Sequence, residues 1–328
     1  MRVTTLQRKE SAHEDHIWVA KWIQNRRDEG AHAKDLKLLT GSCDETCNFW
    51  SYDDSTGFTK DVQSTGQDLG VISLDVNSAG EVAATSTLDC CIRLLSLKPS
   101  ISVIDTIKLS APETWSIAFH PDPSVEQLAV AAGCLGGLRL YKSCVLDEGV
   151  KREICHLKPQ PNQIAKHNQT PFALGVAYDP SGTKVAVSHS DGHIALYDVQ
   201  TQKHILTYAG HSKPVKGLSF SPDGSFLISA CDDKTCNLYD ISSKLPIGSL
   251  NGHESPVLCI EKSGQEGYCF TGSGDGVVKV WDLRNRSCVQ TIAEHKEAVW
   301  SLALHEGANR LASVSEDKSI CVYQVNPQ

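Results

Sequence analysis

The chain has 328 residues, with 31 Lys and Arg against 39 Asp and Glu, for a formal net charge of −8. This acidic balance argues against a general nucleic-acid binder, which needs basic groups to displace counterions from phosphate, and against a polybasic membrane-surface protein. A hydrophobic content of 40% is ample for a core, and 21% charge is too low for a disordered chain.

Residues 1–10 carry no apolar run of the secretory kind, and no stretch reaches the roughly 18 uninterrupted apolar residues of a membrane span. Thirteen cysteines are present without a Cys-x-x-Cys pair. They are expected as reduced, small apolar side chains, with neither a disulfide framework nor a zinc site, and no metal or cofactor is expected.

Taken in chain order, the first predicted element is a lone strand at residues 3–9, and after it a pattern begins to repeat. His13 precedes Thr40, Asp44 and Trp50, with residues 24–35 as a small insertion. Weaker copies are anchored at Asp89, Leu135 and Asp191. Strong copies follow as His211, Ser229, Asp233 and Tyr239; His253, Thr271, Asp275 and Trp281; and His295, Ser313, Asp317 and Tyr323. The anchors 44, 89, 135, 191, 233, 275 and 317 are spaced by 45, 46, 56, 42, 42 and 42 residues, with an aromatic six positions after the Asp in each strong copy. The longest spacing places the main insertion at residues 142–171, with an outer strand read at residues 152–157.

Each unit holds short alternating or β-branched apolar runs separated by turns such as Asp179-Pro180-Ser181-Gly182 and Ser221-Pro222-Asp223-Gly224. Several short strands per unit of about 42 residues, without helical periodicity, are the signature of a propeller blade. The expected fold is therefore all-β, a seven-bladed propeller spanning residues 1–328 as one unit. The last blade is one strand short, and the strand at residues 3–9 is expected to complete it, closing the ring and removing an exposed edge.

The His/Ser/Asp sets look like hydrolase triads, yet they recur once per blade, whereas an active site is built once. They read as buried polar groups satisfying one another. Gly272-Ser273-Gly274-Asp275-Gly276 with Lys279 mimics a phosphate loop, but its register is a strand-to-strand turn in the other blades. His189 and His193 form a possible two-His pair without an evident third ligand. No enzyme constellation emerges.

Three tryptophans share another register, five residues after each blade's His position: Trp18, Trp115 and Trp300. Ile72, Leu174, Lys216 and Leu258 are its other members. This register is expected at the mouth of the central channel, where an apolar ring would mark a protein-binding site. Asp15, Asp232 and Glu297 are expected beside it as acceptors for an Arg of the bound segment.

The residue sets above, with Tyr197-Asp198, Tyr239-Asp240 and Trp281-Asp282, resemble the WD-repeat family over essentially the whole length. In that family His, Ser/Thr, Asp and Trp form a hydrogen-bonded tetrad. Blades two, three and four depart from it, with Gln67 and Leu95, Leu135, and Gln169 and Val187; they are expected to rely more on apolar packing and to be softer. Ala12-His13-Glu14-Asp15 with Ile17-Trp18, Ser86-Thr87-Leu88-Asp89 with Ile92-Arg93, and the end pattern from Val299-Trp300 to Ser319 resemble one subfamily. It is the WD-repeat subunit of the superkiller complex, also called the vernalization-independence WD protein in plants. The resemblance implies a non-catalytic scaffold in nucleus and cytoplasm. The implied partners are a tetratricopeptide-repeat subunit and the helicase of the superkiller complex, and subunits of the polymerase II-associated factor complex. The alternative is a substrate receptor of a ubiquitin ligase.

Overall fold

Runs of β-branched and apolar residues, each ended by a Gly, Asp or Pro turn, leave room for one strand and then force a reversal. The computed structural model describes residues 1–24, 36–64, 66–98, 101–109, 114–144, 152–158, 170–264 and 267–326. Across them these runs form twenty-eight strands in seven four-stranded sheets. The described residues contain no α-helix, only two 3-10 turns, Pro123–Val125 and Gly133–Leu135. The fold is the all-β seven-bladed propeller expected from the repeat.

Six blades are built from four consecutive strands, and the seventh takes its outer strand from the other end of the chain. Arg2–Lys9 lies antiparallel to Ile320–Asn326, with Val3 opposite Val325 and Arg8 opposite Cys321. Val3 also exchanges hydrogen bonds with the Gln290 side chain in blade six, at 2.9 and 2.7 Å. The predicted N-terminal strand thus closes the ring. The outer strand of blade three is Glu153–Leu157, inside the predicted span. Most of the insertions read at 24–35 and 142–171, namely residues 25–35, 145–151 and 159–169, lies outside the described residues.

The core is divided among the blade interfaces. Ile17, Trp22 and Trp50 of blade one pack on Val314, Ile320 and Val322 of blade seven, and a separate apolar cluster fills each of the other six junctions. Full burial of an aliphatic side chain of this size contributes about 2–3 kcal/mol. Junctions this tight need small residues on one side. A Cβ on Gly41 would come within 2.5 Å of Val71 Cγ1.

The innermost strands run from one face of the ring to the other: Ile17–Ile23, Val71–Val76, Thr114–Phe119, Ala173–Tyr178, Val215–Phe220, Val257–Lys262 and Val299–His305. Serines hook neighbouring ones together. Ser73 Oγ accepts from the Ile117 amide (3.2 Å), Ser116 Oγ from Val176 (3.3 Å), and Ser301 Oγ from Ala20 (3.3 Å). These bonds hold the strands that line the central channel.

Candidate functional site

The loops that carry the channel mouth are pinned by the polar sets. With the imidazole proton placed on Nδ1, Trp50 Nε1 donates to Thr40 Oγ1 (2.9 Å), Thr40 donates to His13 Nε2 (2.7 Å), and His13 donates to Asp44 (2.9 Å). Asp44 also takes the Glu14 amide (2.9 Å), which ties the loop before the innermost strand to the turn facing it. Burial alone would raise the Asp44 carboxyl, but hydrogen bonds from His13 and Thr46 outweigh it and hold it far below the usual range. His295 repeats the arrangement with Ser313 (2.7 Å), Asp317 (3.3 Å) and, through Ser313, Tyr323 (2.9 Å). In blade five His211 meets Ser229 and Asp233, both at 2.7 Å, while Asn237 donates to the Tyr239 hydroxyl (3.3 Å).

Blade six corrects the expectation of a complete tetrad. His253 Nε2 meets Thr271 Oγ1 (2.7 Å), which accepts from Trp281 (2.8 Å). His253 Nδ1, however, has no hydrogen-bond partner among the described residues. Asp275 instead accepts from the Ser273 hydroxyl and the Val277 amide. The cause lies two residues on. Thr46, Thr235 and Ser319 each donate a hydroxyl to the preceding Asp, leaving its other oxygen for the His. Val277 has no hydroxyl, so Asp275 turns to Ser273.

The weaker blades differ from one another. In blade two Arg93 holds Asp89 at 2.7 Å and Thr85 donates to Gln67 (2.9 Å). An ion pair between buried Arg93 and half-buried Asp89 stands where the strong blades have the His–Asp pair. Blade three has Leu135 at the Asp position, 40% exposed. In blade four Asp191 pairs with His193 (3.0 Å), while His189 is fully buried and neither ring nitrogen has a well-formed hydrogen bond among the described residues, the His193 backbone being the polar group beside it. Gln169 lies outside the described residues.

His211, Cys231 and Asp233 gather ligand-type atoms within 4.8 Å of one another. Each is already committed. Cys231 Sγ donates to the Lys213 carbonyl (3.2 Å) and accepts from the Asp233 amide (3.4 Å), as Ser42 does with Asp15 and Asp44 in blade one. Burial pushes this thiol up to about 12, so it remains protonated.

All seven residues of the expected ring, Trp18, Ile72, Trp115, Leu174, Lys216, Leu258 and Trp300, line one central channel of about 650 Å³. Trp18 and Trp300, on adjacent blades, touch with ring centroids 6.3 Å apart. Trp300 Nε1 is buried without a hydrogen-bond partner among the described residues. Across the channel Trp115, 38% exposed, meets Phe172 edge-on at 5.8 Å. Leu174 is buried and forms wall more than contact surface. On the same face Leu69 is 61% exposed and Leu88 39%, and the Leu88 amide donates to the Gly70 carbonyl. Leu69 adopts φ +62°, a left-handed conformation rare for a bulky side chain. The apolar surface therefore extends over blade two.

The acids expected beside the ring lie in the loops around it. Asp15, Asp232 and Glu297 sit in the surrounding loops, outside the channel wall. Asp15 accepts from the His16 amide (2.8 Å), and the Glu297 carbonyl holds Ser315 (3.0 Å). Burial raises the Asp232 carboxyl, and nearby Lys216 and Lys213 oppose that rise, so these lysines compete with any incoming Arg. The sequence reading missed Phe172, Leu69 and Leu88. Only Leu69-Gly70, an apolar residue beside a turn glycine, gave a signal.

Seven blades, four tetrad-type polar sets and an apolar channel mouth define a WD-repeat propeller, a class of protein-interaction scaffold. The chain belongs to the WD-repeat family. The WD40 family model (WD domain, G-beta repeat) matches residues 202–240, 244–282 and 286–324, each covering the outer strand of one blade and three strands of the next. The chain is 35% identical over 220 residues to WD repeat-containing protein VIP3 of Arabidopsis thaliana, covering 66% of this chain and 64% of that protein. It is 30% identical over 223 residues to WD repeat-containing protein SL1-17 of Schistosoma mansoni, covering 60% of this chain and 71% of that protein.

Proposed function

We propose that the chain is a non-catalytic scaffold whose aromatic face holds a short extended segment of a larger subunit. The observation that carries this reading is the ring itself. Trp18, Trp115 and Trp300 come from blades one, three and seven, far apart in the sequence, yet line one channel mouth, with Leu69 and Leu88 extending the apolar surface. Tryptophan buries a large area for little conformational entropy, which is why it dominates interface energetics. The polar sets recur blade after blade as loop fasteners, so we assign them no chemistry of their own.

The similarity to VIP3 and the subfamily resemblance of the sequence support two assemblies, the superkiller RNA-decay complex and the polymerase II-associated elongation complex, hence residence in cytoplasm and nucleus. The segment is then carried by the tetratricopeptide-repeat subunit, with the helicase in the same assembly. Affinity purification of the full chain from its own cells, with mass spectrometry, tests this. Recovery of those subunits supports it; recovery of ubiquitin-ligase adaptors without any of them overturns it.

A further inference from the structure

Three residues further along each innermost strand, about 10 Å below the tryptophans, the channel changes character. This lower ring carries Lys21 from blade one, Asp75 from blade two and Glu261 from blade six. The other blades contribute small uncharged residues, Ala118, Ala177 and Ser219 among them. Lys21 Nζ lies 3.4 Å from Asp75 Oδ1, and Asp75 Oδ2 accepts from the Phe119 amide (2.8 Å). Glu261, by contrast, has no hydrogen-bond or ion-pair partner among the described residues. The neighbouring Lys262 is turned to Glu306 at 3.8 Å. Within this ring one ammonium therefore faces two carboxylates, the nearby Lys262 being balanced by Glu306, and the uncharged side of the ring leaves room beside the unsatisfied one. Burial pushes the Glu261 carboxyl up, and Lys21 and Lys262 draw it back. The Asp75 charge leads in pushing the Lys21 ammonium up.

We propose that this lower ring is a second binding site, for a slender organic monocation: an ammonium or guanidinium group on an unbranched chain, seated against Glu261 and entering from the face opposite the tryptophans. One added positive charge makes the ring neutral with alternating signs. A divalent metal overshoots that balance, meets the Lys21 ammonium, and finds too few oxygens for a hard cation. The three carbons or so behind the charged group lie along Ala118 and Ala177, which present no polar atom to be left unpaired. A free alkylamine and the side chain of a Lys on a partner share this chemistry.

The test is a titration of the full chain with n-butylammonium chloride and, separately, with Nα-acetyl-lysine methylamide, each against potassium chloride at equal ionic strength. Amide shifts of Phe119 and Glu261 in 15N–1H spectra are the readout. Saturable shifts with the organic cations and none with potassium support the site. Binding of butylammonium alone marks a free amine as the occupant, and binding of both shows that a lysine side chain suffices. Glu261→Gln should weaken binding about tenfold, and Ala177→Lys, which supplies the missing cation from within, should abolish it. Trp115→Ala should bind the amine as the parent does, which separates this site from the aromatic face. Equal shifts with potassium, no saturation, or parental affinity in folded Glu261→Gln would overturn the proposal.

Discussion

His253 and Asp275 face each other across the blade-six turn but do not bond, because Asp275 is drawn to Ser273 and the Val277 amide. A single missing hydroxyl, at Val277, accounts for it. Val277→Thr should return Asp275 to the register of Asp44 and satisfy His253 Nδ1. The expected gain is about 1 kcal/mol, read as a higher denaturation midpoint in urea with unchanged slope. No gain would show that the hydroxyl does not steer the carboxylate.

Two buried imidazoles, His253 and His189, make stability fall in acid. Burial holds His253 down to about 4, with Lys279 adding to the effect, and burial also brings His189 to about 4. Both lie below the ordinary value of 6.5, so the folded state binds fewer protons than the unfolded one. Their contribution is fully present above about pH 6.5 and is lost as pH falls toward 4. His189→Leu removes a buried group whose ring nitrogens lack well-formed hydrogen bonds among the described residues, and should leave stability at pH 7 unchanged or raised by about 1 kcal/mol. It should also flatten the loss between pH 6.5 and 4. A large loss at pH 7 would mean that His189 is held by a polar partner.

In blade two the Arg93–Asp89 pair takes the place of His and Asp. Arg93→Leu leaves the half-buried Asp89 carboxylate without its cation, though still held by Thr87 and the Cys91 amide, and should cost about 1–3 kcal/mol. Asp89→Asn, which keeps the shape, should cost less. Both are measured by chemical denaturation, and a negligible loss from Arg93→Leu would mean that blade two rests on apolar packing alone.

Removing residues 1–10 deletes the strand that pairs with Ile320–Asn326, together with the Arg8–Asp317 contact at 3.1 Å. The bared edge should lower Tm and promote self-association, since each ladder hydrogen bond contributes about 1 kcal/mol. Scanning calorimetry and light scattering check this; a monomeric product with parental Tm contradicts it.

Blade number, ring closure and the mouth register were legible in the sequence because a fixed repeat carries its geometry with it. Once Trp18, Trp115 and Trp300 share a register in a closed ring, they must share a face. The blade-six tetrad was not legible, since the motif residues are all present and the outcome turns on Val277 outside the motif. The Arg93–Asp89 pair of blade two was hidden for a similar reason, as Arg93 is not a motif position. Lys21, Asp75 and Glu261 were readable by the same counting, three places beyond the ring, but their pairing needs the closed channel to bring blades one, two and six together. Phe172 touches Trp115 from a loop that follows an insertion, where spacing carries no register.

Trp115→Ala is the most direct test of the aromatic face as the binding site, because Trp115 is the ring tryptophan with clear exposure, at 38%, and its loss should spare the core. The measurement is calorimetric affinity for the tetratricopeptide-repeat partner, paired with thermal melting of the same variant. The expected result is a loss of about 2–4 kcal/mol in binding with Tm unchanged. Parental affinity in a variant that melts like the parent would contradict the assignment.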